Sequence, residues 1–236
     1  MKRVFTIALS AAMLAAATSC TFVRVNPNAF SKGEFEYVEG SSNLQSKSYT
    51  VPQFTGIDTS ISADIEYSMT EGDPSVTIEA PDNLIDNLNL KVEDGVLKVR
   101  FDDDRHYSYK TIRVKASSST LEALSIRGAG DFDARSGIDC KSFNVDVQGA
   151  GDVEMAGLRC EGDLNIDVRG AGDINVSGLS CKNVKVDVQG AGDVDLSGKA
   201  ESADLSIQGA GDIDITRLEV VNVSSSVAGM GSIKRK

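Results

Sequence analysis

Aspartate recurs at one fixed point of an internal repeat. The tetrapeptide Gly-Ala-Gly-Asp begins at positions 128, 149, 170, 190 and 209, and a degenerate Gly-Met-Gly-Ser begins at position 229. A period of about 20 residues predicts stacked units in which equivalent side chains form columns. A column of carboxylates has the ligand chemistry of a calcium site, since Ca²⁺ takes about 6–8 oxygen ligands. The candidate calcium column is Asp131, Asp152, Asp173, Asp193 and Asp212.

The same aspartates have a structural alternative, which we favour. Each could cap its glycine corner through its own backbone, as in an Asx turn. Known glycine–aspartate calcium solenoids have a shorter repeat with a different glycine pattern. We therefore expect no cofactor and keep Ca²⁺ as the alternative. The repeat predicts a second column at Asp133, Glu154, Asn175, Asp195 and Asp214, and a third at Asp146, Asp167 and Asp187.

Three cysteines in the repeat region and one histidine before it are further candidates for chemistry. Cys140, Cys160 and Cys181 fall at equivalent points of successive units, so the sequence permits one disulfide among them or a column of small apolar fillers. His106 is the only histidine, so any Ser-His or Cys-His catalytic site must use it. The segment Arg105–Tyr109 is either a contact loop for a glycan or protein or, as we favour, an ordinary loop before the next strand.

The N-terminus has the features of an export signal. Two basic residues precede an apolar run over residues 4–17, and small residues then lead to Cys20. The Ala-Thr-Ser-Cys sequence resembles the lipobox of bacterial lipoproteins, which implies a signal peptide over 1–19 and an acylated, palmitate-bearing Cys20 held in the lipid bilayer. Residues 20–47 are predicted to form a tether. A soluble secreted protein is the alternative. No acidic residue directly follows Cys20, which favours the periplasmic face of the cell envelope over the cell surface.

Composition narrows the class of partner. The chain has 24 basic and 35 acidic residues, and removal of residues 1–19 with their two basic residues leaves 22 against 35, a net charge of −13. Such a balance opposes binding to nucleic acid and to anionic lipid. A single histidine also excludes a histidine-rich metal site.

The elements that carry these residues are predicted to be β-strands. Before each Gly-Ala-Gly-Asp, apolar residues alternate with polar ones, as in Phe143, Val145 and Val147, and a shorter alternation follows it. A unit of about 20 residues has no room for a helix and suits one coil of a parallel β-solenoid. We predict an all-β, β-helix-like solenoid over 128–236, with an antiparallel meander as the alternative.

Residues 48–127 are predicted to form an N-terminal β region that caps the solenoid. The segment Ile57–Ile65 looks like a decayed copy of the repeat unit. The runs Leu88–Val92 and Val96–Val99 flank Glu-Asp-Gly, which indicates a hairpin. Terminal units of repeat proteins must cover the open stack, and this region has the β pattern to do so.

These features together resemble the head-GIN-domain putative auto-transporter adhesins, which are lipoproteins of gut Gram-negative bacteria. The resemblance covers residues 50–233 and depends on Gly128–Asp131 with its copies and on Asp94–Val99. The sequence of Gly172–Asn175 is similar to the Gly-Ile-Asn motif after which the family is named, although a literal Gly-Ile-Asn is absent. The resemblance implies an all-β solenoid and an adhesin, and it brings no catalytic residues.

Three functions are compatible with the sequence. The leading hypothesis is a non-enzymatic adhesin or envelope scaffold, anchored through Cys20, that binds an unknown protein or glycan. A polysaccharide lyase is the first alternative, with Lys141, Arg159, Arg169 or Lys182 as its base. It is disfavoured because the acids repeat uniformly, whereas a catalytic site should break the repeat. A calcium-dependent structural protein is the second alternative.

Overall fold

Alternating apolar and polar residues place most of the described chain in strands. The computed structural model describes residues 37–236, and in these residues the chain winds into a parallel β-solenoid of about six coils. The predicted signal peptide and Cys20 lie outside the described residues. Among the described residues, no helix has the length and apolarity needed to cross a membrane. The predicted fold class is confirmed.

The first half of the described chain contains nine strands and one short 3₁₀ helix. The strands are β1 (Tyr37–Glu39), β2 (Leu44–Thr50), β3 (Gly56–Thr59), β4 (Asp64–Met69), β5 (Ser75–Pro81), β6 (Leu88–Glu93), β7 (Val96–Phe101), β8 (His106–Ser108) and β9 (Arg113–Ser118). The 3₁₀ helix covers Ile85–Asn87.

The repeat region contains the remaining strands. They are β10 (Ala123–Gly128), β11 (Phe132–Ala134), β12 (Ile138–Cys140), β13 (Phe143–Gly149), β14 (Val153–Ala156), β15 (Leu158–Cys160), β16 (Asp163–Gly170), β17 (Ile174–Ser180), β18 (Asn183–Gly190), β19 (Val194–Gly209), β20 (Asp212–Gly229) and β21 (Ser232–Lys234).

The coils form two long parallel walls and one shorter one. Wall A contains β7, β3, β10, β13, β16, β18 and the C-terminal halves of β19 and β20. Wall B contains β9, β4, β11, β14, the N-terminal parts of β17, β19 and β20, and β21. Wall C is the shortest and contains β12, β15, the end of β17 and the middle of β19 and β20.

The core runs along the inside of the three walls. In wall A, the inward residues on adjacent strands lie side by side in register and are almost completely buried, as in Val145, Ile166, Val186 and Leu205. Each such side chain contributes about 1.5–3 kcal/mol of hydrophobic stabilisation. Because side chains in a strand alternate between two faces, every second residue is left to form a polar outer surface.

The N-terminal region extends the same walls with antiparallel strands. The hairpin of β6 and β7 covers wall A, and its turn has positive φ at Asp94 (53°) and Gly95 (76°), as a two-residue hairpin loop requires. This pairing confirms the hairpin predicted from the sequence. Strands β2, β5 and β9 pair antiparallel at the edge of wall B.

The tether predicted over 20–47 is too long. Residues 37–39 form β1, which pairs with β8, and β2 begins at Leu44 and pairs with β5. Six of the seven β2 side chains are exposed, so the strand shows no apolar alternation in the sequence. Its pairing depends on backbone hydrogen bonds, which any sequence can make.

Candidate functional site

The glycine corners between wall A and wall B are required by the close approach of neighbouring coils. Gly170 has a φ of 145°, and a Cβ added there would overlap the carbonyl oxygen of Gly149 in the preceding coil. A Cβ on Gly172 would likewise overlap the carbonyl oxygen of Gly151. Ala171, between them, is exposed. From the second copy onward, the two glycines of the motif therefore serve backbone packing, and the aspartate that follows them is positioned by that packing.

Each corner aspartate accepts a hydrogen bond from the backbone of the next coil. The backbone N–H of Asp152 donates to Oδ1 of Asp131 (3.1 Å), and the N–H of Asp173 donates to Oδ1 of Asp152 (3.0 Å). The ladder continues through Asp193 and Asp212 at 3.0 and 2.8 Å. It ends where the degenerate last copy donates the N–H and the hydroxyl of Ser232 to Asp212, at 2.8 and 2.9 Å.

This ladder corrects one prediction about the aspartates. The side chains do cap the corners, but each caps the corner of the next coil and not its own, because the corners stack directly on one another. The two bonds from Ser232 and an ion pair with Lys234 (3.1 Å) lower the pKa of Asp212. Within residues 37–236, no group of three or more His, Cys, Asp or Glu side chains is arranged to hold a metal ion.

The second acidic column lies on wall B and is largely paired. Arg135 forms ion pairs with Asp133 (2.8 Å) and Glu154 (2.7 Å), and Arg217 forms one with Asp195 (2.7 Å). Hydrogen bonds from the hydroxyl and the N–H of the neighbouring Thr216 lower the pKa of Asp214. A shallow groove of about 390 Å³ runs between this column and the corner aspartates.

The third acidic column lies on the outer surface of wall A. Asp146, Asp167 and Asp187 stand in register on adjacent strands. Arg169 contacts Asp146 (3.4 Å) and Asp167 (2.5 Å). Oδ1 of Asp167 and Oδ1 of Asp187 are buried and have no hydrogen-bond partner within the described part of the chain. Burial, with the charges of the flanking Asp146 and Asp187, raises the pKa of Asp167, and Arg169 partly opposes this.

A column that the sequence interpretation missed lies beside these carboxylates. It contains two guanidinium and three amide groups, and one signal for it was present, since Gln directly precedes Gly-Ala-Gly-Asp in three copies. Gln148 donates to Asp146 (3.1 Å), and Arg127 forms an ion pair with Asp58 at the N-terminal end of the wall. The column consists of Arg127, Gln148, Arg169, Gln189 and Gln208. We call the outer surface formed by Asp146, Asp167 and Asp187 the acidic face, and the guanidinium and amide column lies beside it.

The cysteines lie along wall C. Cys140 and Cys160 are register partners on β12 and β15, and their Sγ atoms are 3.2 Å apart. Cys181 follows one coil later and donates its thiol to the carbonyl of Asn183 (3.7 Å). Burial raises the pKa of Cys181 to about 11. The sequence left a disulfide and a column of apolar fillers as alternatives, and Cys140 and Cys160 are the pair whose Sγ atoms lie near enough for the disulfide.

The segment around His106 is part of the N-terminal cap. His106 begins β8, which pairs with β1. The ring of Tyr107 stacks on Phe101 with centroids 3.7 Å apart, and the hydroxyl of Tyr109 accepts the N–H of Ser62 (3.1 Å). The segment is therefore a packed strand with structural contacts, in place of the loop that was expected.

The basic residues considered for a lyase are divided between two walls. Lys141 and Arg159 line one groove of about 500 Å³ with Glu122, Asp139 and Glu161. Arg159 is on wall C, where its guanidinium holds both oxygens of Asp139 (2.6 and 2.8 Å). Arg169 is on wall A, paired with the acidic face. Each guanidinium is thus engaged in a separate ion pair on a separate wall.

The three-walled stack, its glycine corners and the regular polar columns on its outer walls define a repetitive β-solenoid. The sequence matches the family described as "Putative auto-transporter adhesin, head GIN domain" over residues 53–178 and 158–235. The chain belongs to this family, which confirms the resemblance seen in the sequence. The family supports a binding role in place of an enzymatic one.

Solved structures share the fold. A putative adhesin from Bacteroides fragilis is 25% identical, with a TM-score of 0.68 over 84% of this chain and 100% of that chain. A putative lipid binding protein from Parabacteroides distasonis is 19% identical, with a TM-score of 0.71 over 85% of this chain and 100% of that one. A putative adhesin from Parabacteroides merdae is 18% identical, with a TM-score of 0.58 over 85% and 99% of the two chains. None of the curated proteins matches the sequence.

Proposed function

We propose that this protein is an exported, lipid-anchored adhesin module that binds a partner through the acidic face of wall A. The signal-like N-terminus and Cys20 support the anchor, and family membership supports the binding role. The partner is a protein segment rich in positive charge and hydrogen-bond donors. A glycan is disfavoured because aromatic residues make up only 6% of the chain.

The observation that carries this proposal is that the carboxylates of the acidic face outnumber the cations that contact them. Three carboxylates stand on adjacent strands, and Arg169 is the cation that contacts two of them. The side chains of Asp146 and Asp167 are 41% and 37% exposed, so oxygens of both are within reach of a ligand that supplies hydrogen-bond donors. Lysine or arginine side chains of a partner are such donors, and their charge adds to the attraction.

The regularity of the face favours an extended ligand. Adjacent strands are about 4.8 Å apart, so the three carboxylates span about 10 Å, which the long side chains of an extended basic segment can cover. The net charge of the chain, −11, would attract such a basic partner over a longer range and would make the association rate sensitive to salt.

The test is binding by the full exported chain to an array of basic peptides, acidic peptides and glycans. We expect binding to basic peptides that weakens as salt is raised, and loss of most of it in the double variant Asp167→Asn/Asp187→Asn. The matched control, Glu161→Gln/Glu201→Gln, removes the same charge from exposed positions away from the acidic face. Equal loss in both double variants, or binding to glycans alone, would contradict the proposal.

A further inference from the structure

The C-terminal end of the solenoid presents an unpaired strand. Residues 222–229 of β20 pair with β19 on one side, and within residues 37–236 no strand pairs with their other side. The inward positions of this strand are Val223, Ser225 and Val227, and Val227 is 45% exposed because no further coil covers it. Val221 and Met230 nearby are 83% and 90% exposed. This end therefore exposes apolar side chains and free backbone groups together.

The same strand lacks the charges that usually protect an edge. Residues 220–233 contain no charged residue, whereas the equivalent residues one coil earlier include Glu201, Asp204 and Asp212. Exposed edge strands generally carry charges that prevent pairing with another chain. In a protein as acidic as this one, the neutral strand is the surface on which a second copy meets the least repulsion.

The sequence of the strand is self-complementary. Val223-Ser224-Ser225-Ser226-Val227 reads the same in both directions. When two copies pair antiparallel about Ser225, each Val223 faces Val227 of the other copy and the two Ser225 residues face each other. The inward apolar pattern thus continues across the junction, as a two-fold symmetric interface requires.

The shape of the end is also compatible with a two-fold axis. The chain rises by one strand spacing per coil, so β21 in wall B stands above the last strand of wall A, and residues 217–220 in wall C stand below it. A two-fold axis through Ser225, perpendicular to the solenoid axis, places the raised wall B of one copy against the lowered wall C of the other.

The charges beside this step are balanced within each copy. Glu219 in wall C forms an ion pair with Lys199 (3.2 Å), and Arg235 and Lys236 line one cavity with Glu219. These side chains therefore add no net negative charge that would repel a second copy. Lys234 does not prevent another chain from pairing with the open strand, because its ammonium group is paired with Asp212 (3.1 Å). A cavity of about 430 Å³ at this end, lined partly by Leu218 and Val220, leaves room for side chains of the second copy.

We propose that two copies of this chain associate end to end through residues 222–229, as an antiparallel strand pair centred on Ser225. The pair joins two solenoids into one continuous β structure, with the N-terminal caps at its two outer ends. This arrangement suits a contact between two copies anchored at separate sites. The inference rests on the C-terminal end alone and does not depend on the partner assigned to the acidic face.

Cysteine cross-linking in the full chain tests the pairing and its register. Ser225→Cys places two thiols opposite each other on the two-fold axis, within reach of a disulfide. Diamide, a thiol oxidant, removes the two thiol hydrogens and is reduced as the bond forms. We expect a disulfide-linked dimer several times more abundant than in the wild type, whose native cysteines set the background. Ser206→Cys, one coil earlier on the outward face, is the matched control and should stay at that background.

The remaining outcomes decide against the proposal. A dimer no stronger than that of Ser206→Cys would overturn it, as would a cross-link of Ser225→Cys to a different protein. Protection of Ser225→Cys from a maleimide without any cross-link would mean that another part of the same chain covers the strand.

A charged variant provides a second and independent measurement. Val227→Lys, combined with Ser225→Cys, puts a lysine on the exposed edge and should abolish the cross-link. Ser206→Lys with Ser225→Cys should leave the cross-link unchanged. Since Val227 is already partly exposed, circular dichroism should show the same β content in both double variants.

Discussion

Substitution of a single corner glycine tests whether contact between coils controls the stability of this solenoid. In Gly170→Ala, the new Cβ overlaps the carbonyl oxygen of Gly149 and lies 2.9 Å from its carbonyl carbon and 3.0 Å from its nitrogen. The neighbouring atoms are backbone, so they can yield only if two coils move apart. The substitution should therefore weaken the strand pairing on both sides of the corner.

The expected loss can be worked out from two contributions. An alanine held at a φ of 145° has a backbone conformation that is essentially restricted to glycine, which costs about 1–3 kcal/mol. Overpacking against a rigid neighbour costs about 1–3 kcal/mol more. The smaller conformational freedom of alanine in the unfolded chain returns about 0.4–1 kcal/mol. We expect a net decrease of about 3 kcal/mol in the free energy of unfolding.

Urea unfolding followed by far-ultraviolet circular dichroism measures this loss. Gly72→Ala is the matched control, because its Cβ would meet only the Thr70 hydroxyl at 3.5 Å and its φ is not positive. This control should be neutral or slightly stabilising. If Gly170→Ala unfolds at the same urea concentration as Gly72→Ala, close contact between coils does not explain the repeated glycines.

Four further predictions follow from the same structure. Asp173→Ala should lower stability by about 1 kcal/mol, because it leaves an N–H of the next coil without an acceptor, whereas Asp173→Asn keeps an acceptor and should cost less in the same urea assay. The raised pKa of Asp167 means that its ionised form is disfavoured in the folded protein, a penalty that is present above that pKa and relieved as the pH falls through it. Asp167→Asn should therefore raise the urea midpoint near neutral pH and change it less in mild acid. Peptide mapping of the oxidised protein should find Cys140 linked to Cys160, and reduction should lower stability by about 3 kcal/mol, whereas recovery of both as free thiols would refute the pairing. Cys20→Ala should abolish palmitate labelling and move the protein from the membrane fraction to the soluble fraction, and retention in the membrane would show another anchor.

Periodicity in the sequence was enough to predict the type of fold. The near-constant spacing of Gly-Ala-Gly-Asp and the alternation at Val145, Ile166 and their equivalents were sufficient to predict parallel strands in stacked coils. The physical reason is that side chains of a strand alternate between its faces, so a buried column has to recur at one position of each coil. The hairpin at Asp94–Gly95 was equally visible, because its turn needs positive φ at two successive residues.

Features that depend on residues distant in sequence became visible only in the folded chain. Wall C contributes strands as short as Leu158–Cys160, which are too short to show an alternation. The edge strand β2 is polar on both faces, so its pairing with β5 leaves no sequence signal. The corner aspartates accept hydrogen bonds from the next coil and not from their own turn. Stacking of the coils places a backbone N–H that is about one repeat away in sequence directly beside each carboxylate. Periodicity therefore fixes which residues share a column, and only the packing of coils determines what each column contacts.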